Sequence, residues 1–376
     1  MNLRSVFGLT WVLSSGCPST PSPRPDRGDD DAPPQMLESW SFTDRTSSAG
    51  TWEVRVDVPP DVTHFQVTAR ADGYVSMERL YDPDGVRVLR WQDWYWSPYS
   101  LTSAVFGFSR TTAFDWPVRD SDGPLEPGEW RMVWSVVDDD GYYVPNAPVD
   151  GWVALKRDDD AGEAQVSVRI VYADGVDADP AVVDAVEQAV ERWREIWAMY
   201  GLSLDERYES SALDPHLPWT FTADDPAVEA VAEDKDPREL QLIVGEQVRQ
   251  SNSLYGVAAS IPGTIQATTA TYVVLSWLTH AGVNAAFDED EIRLMGETMA
   301  HEVGHYQGLF HPVEGGYEYW DALDDTVECL GPAACEDALG TNLMYPYSIC
   351  GGGSCLATDQ LTPDQVGVLQ GYVGSL

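Results

Sequence analysis

One stretch carries the residue types and spacings that could do chemistry: His301-Glu302-Val303-Gly304-His305-Tyr306-Gln307-Gly308-Leu309-Phe310-His311, which reads H-E-x-x-H-x-x-G-x-x-H. His301 and His305 are four apart, so on a helix they share one face, a turn from each other, and two imidazoles there can hold one Zn²⁺. Glu302 points to the flank of that face, where it can reach a metal-bound water. Gly308 can take the left-handed conformation that ends a helix and turns the chain, bringing His311 round as third ligand. Three protein nitrogens leave a fourth position for water, the mark of a catalytic zinc site rather than a closed structural one. Three of the six histidines fall in this stretch.

The helix that must carry these groups is legible upstream. Asp288 opens it, with Glu289, Asp290 and Glu291 in its first turn, where acids suit the helix dipole. Ile292, Met295 and Met299 give it an apolar stripe. Before it, Val166, Val168 and Ile170 alternate as a strand. Asp179-Pro180 then starts a helix with a cap and a Pro at the first position. Val183, Val186, Val190, Trp193 and Trp197 follow at helical spacing, and Gly201 ends it. Leu240 to Val244 reads as a second strand and Thr271 to Trp277 as a third.

The first part of the chain has another character. Residues 1–17 hold Arg4, an apolar run from Val6 to Leu13, then Ser14-Ser15-Gly16-Cys17, the shape of an export signal. The small residues before Cys17 resemble a bacterial lipobox, with Ser14 where Leu is usual, and make Cys17 the expected lipidation site. Residues 18–35, rich in Pro, Ser, Arg and Asp, form a tether unable to pack a core. Residues 36–157 read as an all-β sandwich. Trp52, Val54, Val56 and Val58 alternate with polar residues, as do Trp130, Met132, Trp134 and Val136. Turns at Asp82-Pro83-Asp84-Gly85, Glu126-Pro127-Gly128 and Asp138–Gly141 separate the runs. This module holds nine of the fifteen Trp. They read first as core filler and second, at Trp91-Gln92-Asp93-Trp94-Tyr95-Trp96, as stacking surface for sugars or peptides. Asp158 to Gly162 marks the boundary to residues 165–376.

The formal net charge of −40 argues against nucleic acid or an anionic membrane as partner. It could also supply Ca²⁺ ligands, although no EF-hand spacing is present. Of five cysteines, Cys17 is set aside for lipid. The other four, Cys329, Cys335, Cys350 and Cys355, read as two disulfides in an exported chain. Local pairs are the simplest of three connectivities.

Thr341-Asn342-Leu343-Met344-Tyr345-Pro346 lies about thirty residues after His311. With the complete zinc stretch it resembles the Met-turn of metzincin zinc endopeptidases. The resemblance implies that Met344 packs beneath the imidazoles without ligating the metal. Asp321-Ala322-Leu323-Asp324-Asp325-Thr326, the cysteines around the turn, and Leu361-Thr362-Pro363-Asp364-Gln365-Val366 are similar to the pappalysin/ulilysin-type group. Metzincins with a tyrosine near the metal place it two after the Met; here that residue is Pro346, leaving Tyr345, Tyr347 or neither for a transition-state role. Pro312 resembles serralysins, whose calcium repeats are missing. Leu125 to Trp130 weakly resembles the pre-peptidase C-terminal modules of secreted bacterial peptidases.

The fold expected is therefore α+β: a zincin domain with a twisted mixed sheet, a backing helix, an active-site helix and a Met-turn, preceded by the β-sandwich. The function expected is an exported zinc endopeptidase, at the bacterial cell envelope or extracellular, monomeric, acting on protein or peptide. Glu302 is its general base, and the 271–277 strand is the edge that pairs with substrate. The alternatives are a surface-anchored binding lipoprotein with a latent or degenerate zincin domain, and a zymogen whose tether or β-module fills the cleft. A cysteine switch is excluded, since no Cys lies between Cys17 and Cys329.

Overall fold

Period-two alternation makes the first half of the chain a sheet. In the computed structural model the described residues are 37–107, 109–157, 164–218, 225–249, 251, 253–281, 286–351 and 354–376. The export segment with Cys17, the tether and the 158–162 boundary lie outside them. Seven strands form one antiparallel network: β1 (Leu37–Arg45), β2 (Thr51–Val58), β3 (Val62–Tyr81), β4 (Arg87–Arg90), β5 (Ser109–Trp116), β6 (Gly128–Val137) and β7 (Pro148–Arg157). Where two separate sheets are expected, a single twenty-residue strand, β3, pairs with four others in one sheet. Its first half lies between β5 and β7, its second between β4 and β6. The sheet therefore curls on itself around one apolar interior. Trp52, Trp116, Trp130 and Trp134 fill that interior, whereas Trp96 is 77% exposed.

The second half builds a five-stranded sheet from β8 (Ala164–Tyr172), β9 (Leu202–Ser210), β10 (Leu240–Gly245), β11 (Gly256–Ala258) and β12 (Val273–Ser276), in the order β9-β8-β10-β12-β11. All pairs are parallel except β11 with β12. The strand expected as the cleft edge is thus an interior one. Every residue of Val273–Ser276 is buried, as a strand flanked on both sides and covered on both faces requires. The edge is Gly256–Ala258.

Two long helices pack with this sheet. Helix α1 (Pro180–Ala198) starts where Asp179 Oδ1 accepts the Ala181 N–H at 3.0 Å. It buries Val182, Val186, Val190, Trp193 and Trp197, with Val182 rather than Val183 on the inner face. Helix α2 (Glu289–Tyr306) starts with a reciprocal cap: Asp288 accepts the Glu291 N–H and Glu291 accepts the Asp288 N–H, both at 2.9 Å. Helix α3 (Pro332–Leu339) and helix α4 (Pro363–Gly371) follow. Disulfides join Cys329 to Cys335 and Cys350 to Cys355, the local pairing. The described residues form one compact unit.

Candidate metal centre

Helix α2 delivers His301 and His305 on one face and ends one residue past His305. Gly308 then takes φ +119°, a conformation that favours glycine, and the Leu309 N–H caps the Gly304 carbonyl at 3.0 Å. The chain reverses and His311 swings back over the helix. The His311 Nε2 lies 3.1 Å from His305 Nε2 and 3.3 Å from His301 Nε2. Tetrahedral zinc with Zn–N near 2.0–2.1 Å sets its ligand nitrogens about 3.3 Å apart, so the triad fits that ion.

Each imidazole is aimed by its other nitrogen. His301 Nδ1 donates to the Leu343 carbonyl at 2.7 Å, and His305 Nδ1 to the Leu309 carbonyl at 2.6 Å. His311 Nδ1 meets Glu314 Oε2 at 3.0 Å. With all three Nδ1 positions taken, all three Nε2 lone pairs face the common point, as a ligating histidine requires. Burial, with His311 nearby, pushes the His301 pKa down to about 3, and burial drives His305 well below its usual value, so both stay neutral. Among the described residues, this triad is the one group of three or more His, Cys, Asp or Glu whose ligand atoms converge. The expected calcium finds no such group.

Met344 lies under the centre. It is fully buried, and a Cβ placed on Gly304 would stand 2.9 Å from its Sδ. Its turn is held from α4. Asn342 and Gln365 exchange side-chain hydrogen bonds at 2.8 and 3.3 Å, and Asn342 Oδ1 accepts the Met344 N–H at 2.9 Å. Gln365 also closes the α4 cap with Thr362. The turn therefore supplies the Leu343 carbonyl that aims His301, a role no side-chain motif announces.

Glu302 projects toward β11. Burial pushes its carboxyl up to about 8, offset in part by the Ala258 N–H; a cation bound beside it would act in the opposite direction. Its side chain lies against Gly256, where an added Cβ would be 2.6 Å from Glu302 Cγ. Around Glu302 and the triad opens a cleft of about 770 Å³, within the usual range for a ligand site. Every residue lining it falls between Ser253 and Thr358, so the first sheet does not fill it. That removes the β-module, among the described residues, as a blocking element.

Of the two tyrosines, Tyr345 is 3% exposed and packs with Val313, Cys329, Cys335 and Leu339. Tyr347 stands at the rim, 44% exposed, and a Cβ on Gly315 would lie 3.2 Å from its hydroxyl. Both border the cleft. Two acids that motif reading passes over also matter. Glu314 follows His311 by three residues. Glu297, one turn before His301, is 1% exposed and bridges Arg293 at 2.9 Å and Arg192 at 3.1 Å. It also accepts from Thr358 N at 3.2 Å and so ties the segment after Cys355 to α2.

No family model and no curated protein sequence matches the chain. Solved structures overlap it in part. It is similar to archaemetzincin from Methanopyrus kandleri at 19% identity, over 39% of this chain and 76% of that one, with a TM-score of 0.27. Metalloproteinase-II from Bacteroides fragilis is 8% identical over 63% and 65%, at a TM-score of 0.34. A zinc-dependent peptidase from Methanocorpusculum labreanum is 14% identical over 54% and 94%, at 0.25.

Proposed function

We propose that the chain is a zinc-dependent endopeptidase of metzincin type, exported and held at the cell envelope through Cys17. The observation that carries the reading is the convergence of three aimed Nε2 atoms beside a buried carboxylate in an open cleft. Zinc, when bound by His301, His305 and His311, supplies Lewis acidity at a carbonyl and brings the pKa of water to about 7. Glu302 then accepts a proton from water and returns it to the leaving amine. Its depth in the cleft and the Ala258 N–H hold the carboxyl for that transfer.

The edge strand supports binding of an extended peptide. Tyr255 and Ala259 direct main-chain groups to the neighbouring strand, through Ser276 N to Tyr255 O at 2.8 Å and Ala259 N to Tyr272 O at 3.1 Å. In an antiparallel ladder the main-chain groups alternate, so Val257, opposite Val274, faces inward like Tyr255 and Ala259, and the residues between them face outward. Gly256 and the Ala258 carbonyl are thus left to a substrate strand. Tyr347, at the rim, is the tyrosine we assign to the developing oxyanion. Residues 36–157 and 165–376 act as accessory and catalytic modules.

The test is metal removal. Chelation should abolish cleavage of a peptide library followed by mass spectrometry, and one equivalent of zinc per chain should restore it. Cleavage indifferent to chelation, or a zinc-loaded chain inert to every peptide, contradicts the reading.

A further inference from the structure

We infer that Ser103, in the N-terminal module, is a positioning residue for the substrate-binding edge of the cleft; this rests on the peptidase reading above. The first sheet contributes no lining residue, yet it grips one that does. Ile261 borders the cleft three residues after β11. Ser103 holds both main-chain groups of Ile261. The Ser103 N–H donates to the Ile261 carbonyl at 2.7 Å, and the Ile261 N–H donates to Ser103 Oγ at 3.0 Å. Ser103 Oγ also lies 2.7 Å from the Ile261 carbonyl and 3.1 Å from Ser260 Oγ.

Ser103 is itself fixed. It opens a single 3₁₀ turn, Ser103–Val105, capped by the Thr102 hydroxyl, and the next two residues, Ala104 and Val105, are buried in the module core. The grip continues downstream. Gln66 and Thr68 lie two apart on β3 and so share a face. Gln66 Nε2 donates to the Gly263 carbonyl at 3.0 Å, and Gln66 Oε1 accepts the Ile265 N–H at 3.2 Å. Thr68 Oγ1 meets Thr264 Oγ1 at 2.9 Å. From the other side the same segment is tied to the zinc helix. Gly263 N donates to the Tyr306 carbonyl at 2.7 Å, and the Tyr306 hydroxyl donates to the Thr264 carbonyl at 2.5 Å.

Residues 260–265 are therefore clamped between the module and α2, and β11 hangs from the near end of the clamp. Ala258 stays paired with Val273, whereas the chain leaving β11 at Ser260 and Ile261 takes its path from Ser103. Removing the Ser103 hydroxyl frees the Ile261 amide and loosens the strand a substrate must pair with, while the triad is untouched. The effect belongs in KM for substrates long enough to reach β11.

The test uses the full chain as Ser103→Ala and as Ser103→Thr, which keeps the hydroxyl. Amide exchange of residues 256–261 is followed alongside kcat and KM for one long peptide and one short peptide spanning only the scissile pair. Ser103→Ala should speed exchange in that segment and raise KM for the long peptide about fivefold, the scale of one lost hydrogen bond. It should leave kcat and the short peptide unchanged, and Ser103→Thr should restore both readouts. Wild-type exchange and wild-type KM in Ser103→Ala overturn the assignment, as does a loss of protection spread evenly over the chain. If the wild type cleaves no peptide, the peptidase reading fails, and exchange alone decides the role of Ser103.

Discussion

The side chain of Glu302 lies directly on the main chain of Gly256: a Cβ at that glycine would stand 2.6 Å from Glu302 Cγ and 2.9 Å from the Val274 carbonyl. Glu302, the proposed general base, and the edge strand are thus in van der Waals contact, and any side chain at 256 must displace one of them. Gly256→Ala should lower kcat/KM about 10- to 100-fold, the consequence of an overpacking strain of roughly 1–3 kcal/mol. Zinc content should stay at one per chain, because no triad contact is altered. Steady-state kinetics with metal analysis checks this; unchanged kinetics would mean that the strand and Glu302 are not coupled.

His311 differs from the other two histidines of the triad in its partner. His301 and His305 donate to backbone carbonyls, whereas His311 meets the carboxylate of Glu314. Outer partners of this kind typically contribute about 10- to 100-fold to metal affinity. Glu314→Ala should weaken zinc binding by that factor in a competition titration with a chelator. Glu314→Gln, which still accepts a hydrogen bond, should weaken it less. Equal affinity in all three proteins would assign Glu314 to the surface.

A buried carboxyl in the first sheet makes stability depend on pH. Burial pushes Asp115 up to about 8, against the pull of Gln66 and Lys156. Between about pH 4 and 8 the folded chain holds a proton that the unfolded chain has released, so the contribution of Asp115 to stability falls as pH rises through that window. Asp115→Asn removes the effect. Asp321, pushed up to about 7 by burial, acts in the same direction but is common to both proteins and cancels in the comparison. The Tm advantage of Asp115→Asn over wild type should be larger at pH 8 than at pH 5, by about 5 °C. An equal difference at both pH values would contradict it.

Local chemistry was readable in the sequence where the structure is local. The caps at Asp179, Asp288 and Thr362 start their helices as their residue types require. The triad closes because its spacing matches one helical turn and one glycine turn. What depended on distant partners was not readable. Thr271 to Trp277 reads as a cleft edge until Gly256–Ala258, distant in sequence, is paired outside it and Val273–Ser276 is buried between two strands. The true edge, Gly256–Ala258, is three residues long and has no alternation to reveal it. The change of neighbours along β3 rests on four pairings spread over the first sheet. Glu297 reads as one more acid on an acidic helix until Arg192, on another helix, is brought beside it.

The most direct test of the central claim compares zinc-loaded wild type with Glu302→Gln on one peptide, with metal content measured on the same samples. Glu302→Gln should hold one zinc per chain and turn over at least about 100-fold more slowly. Turnover equal to wild type would show that Glu302 is not the base, and a loss of activity accompanied by loss of zinc would show that it serves the metal site instead.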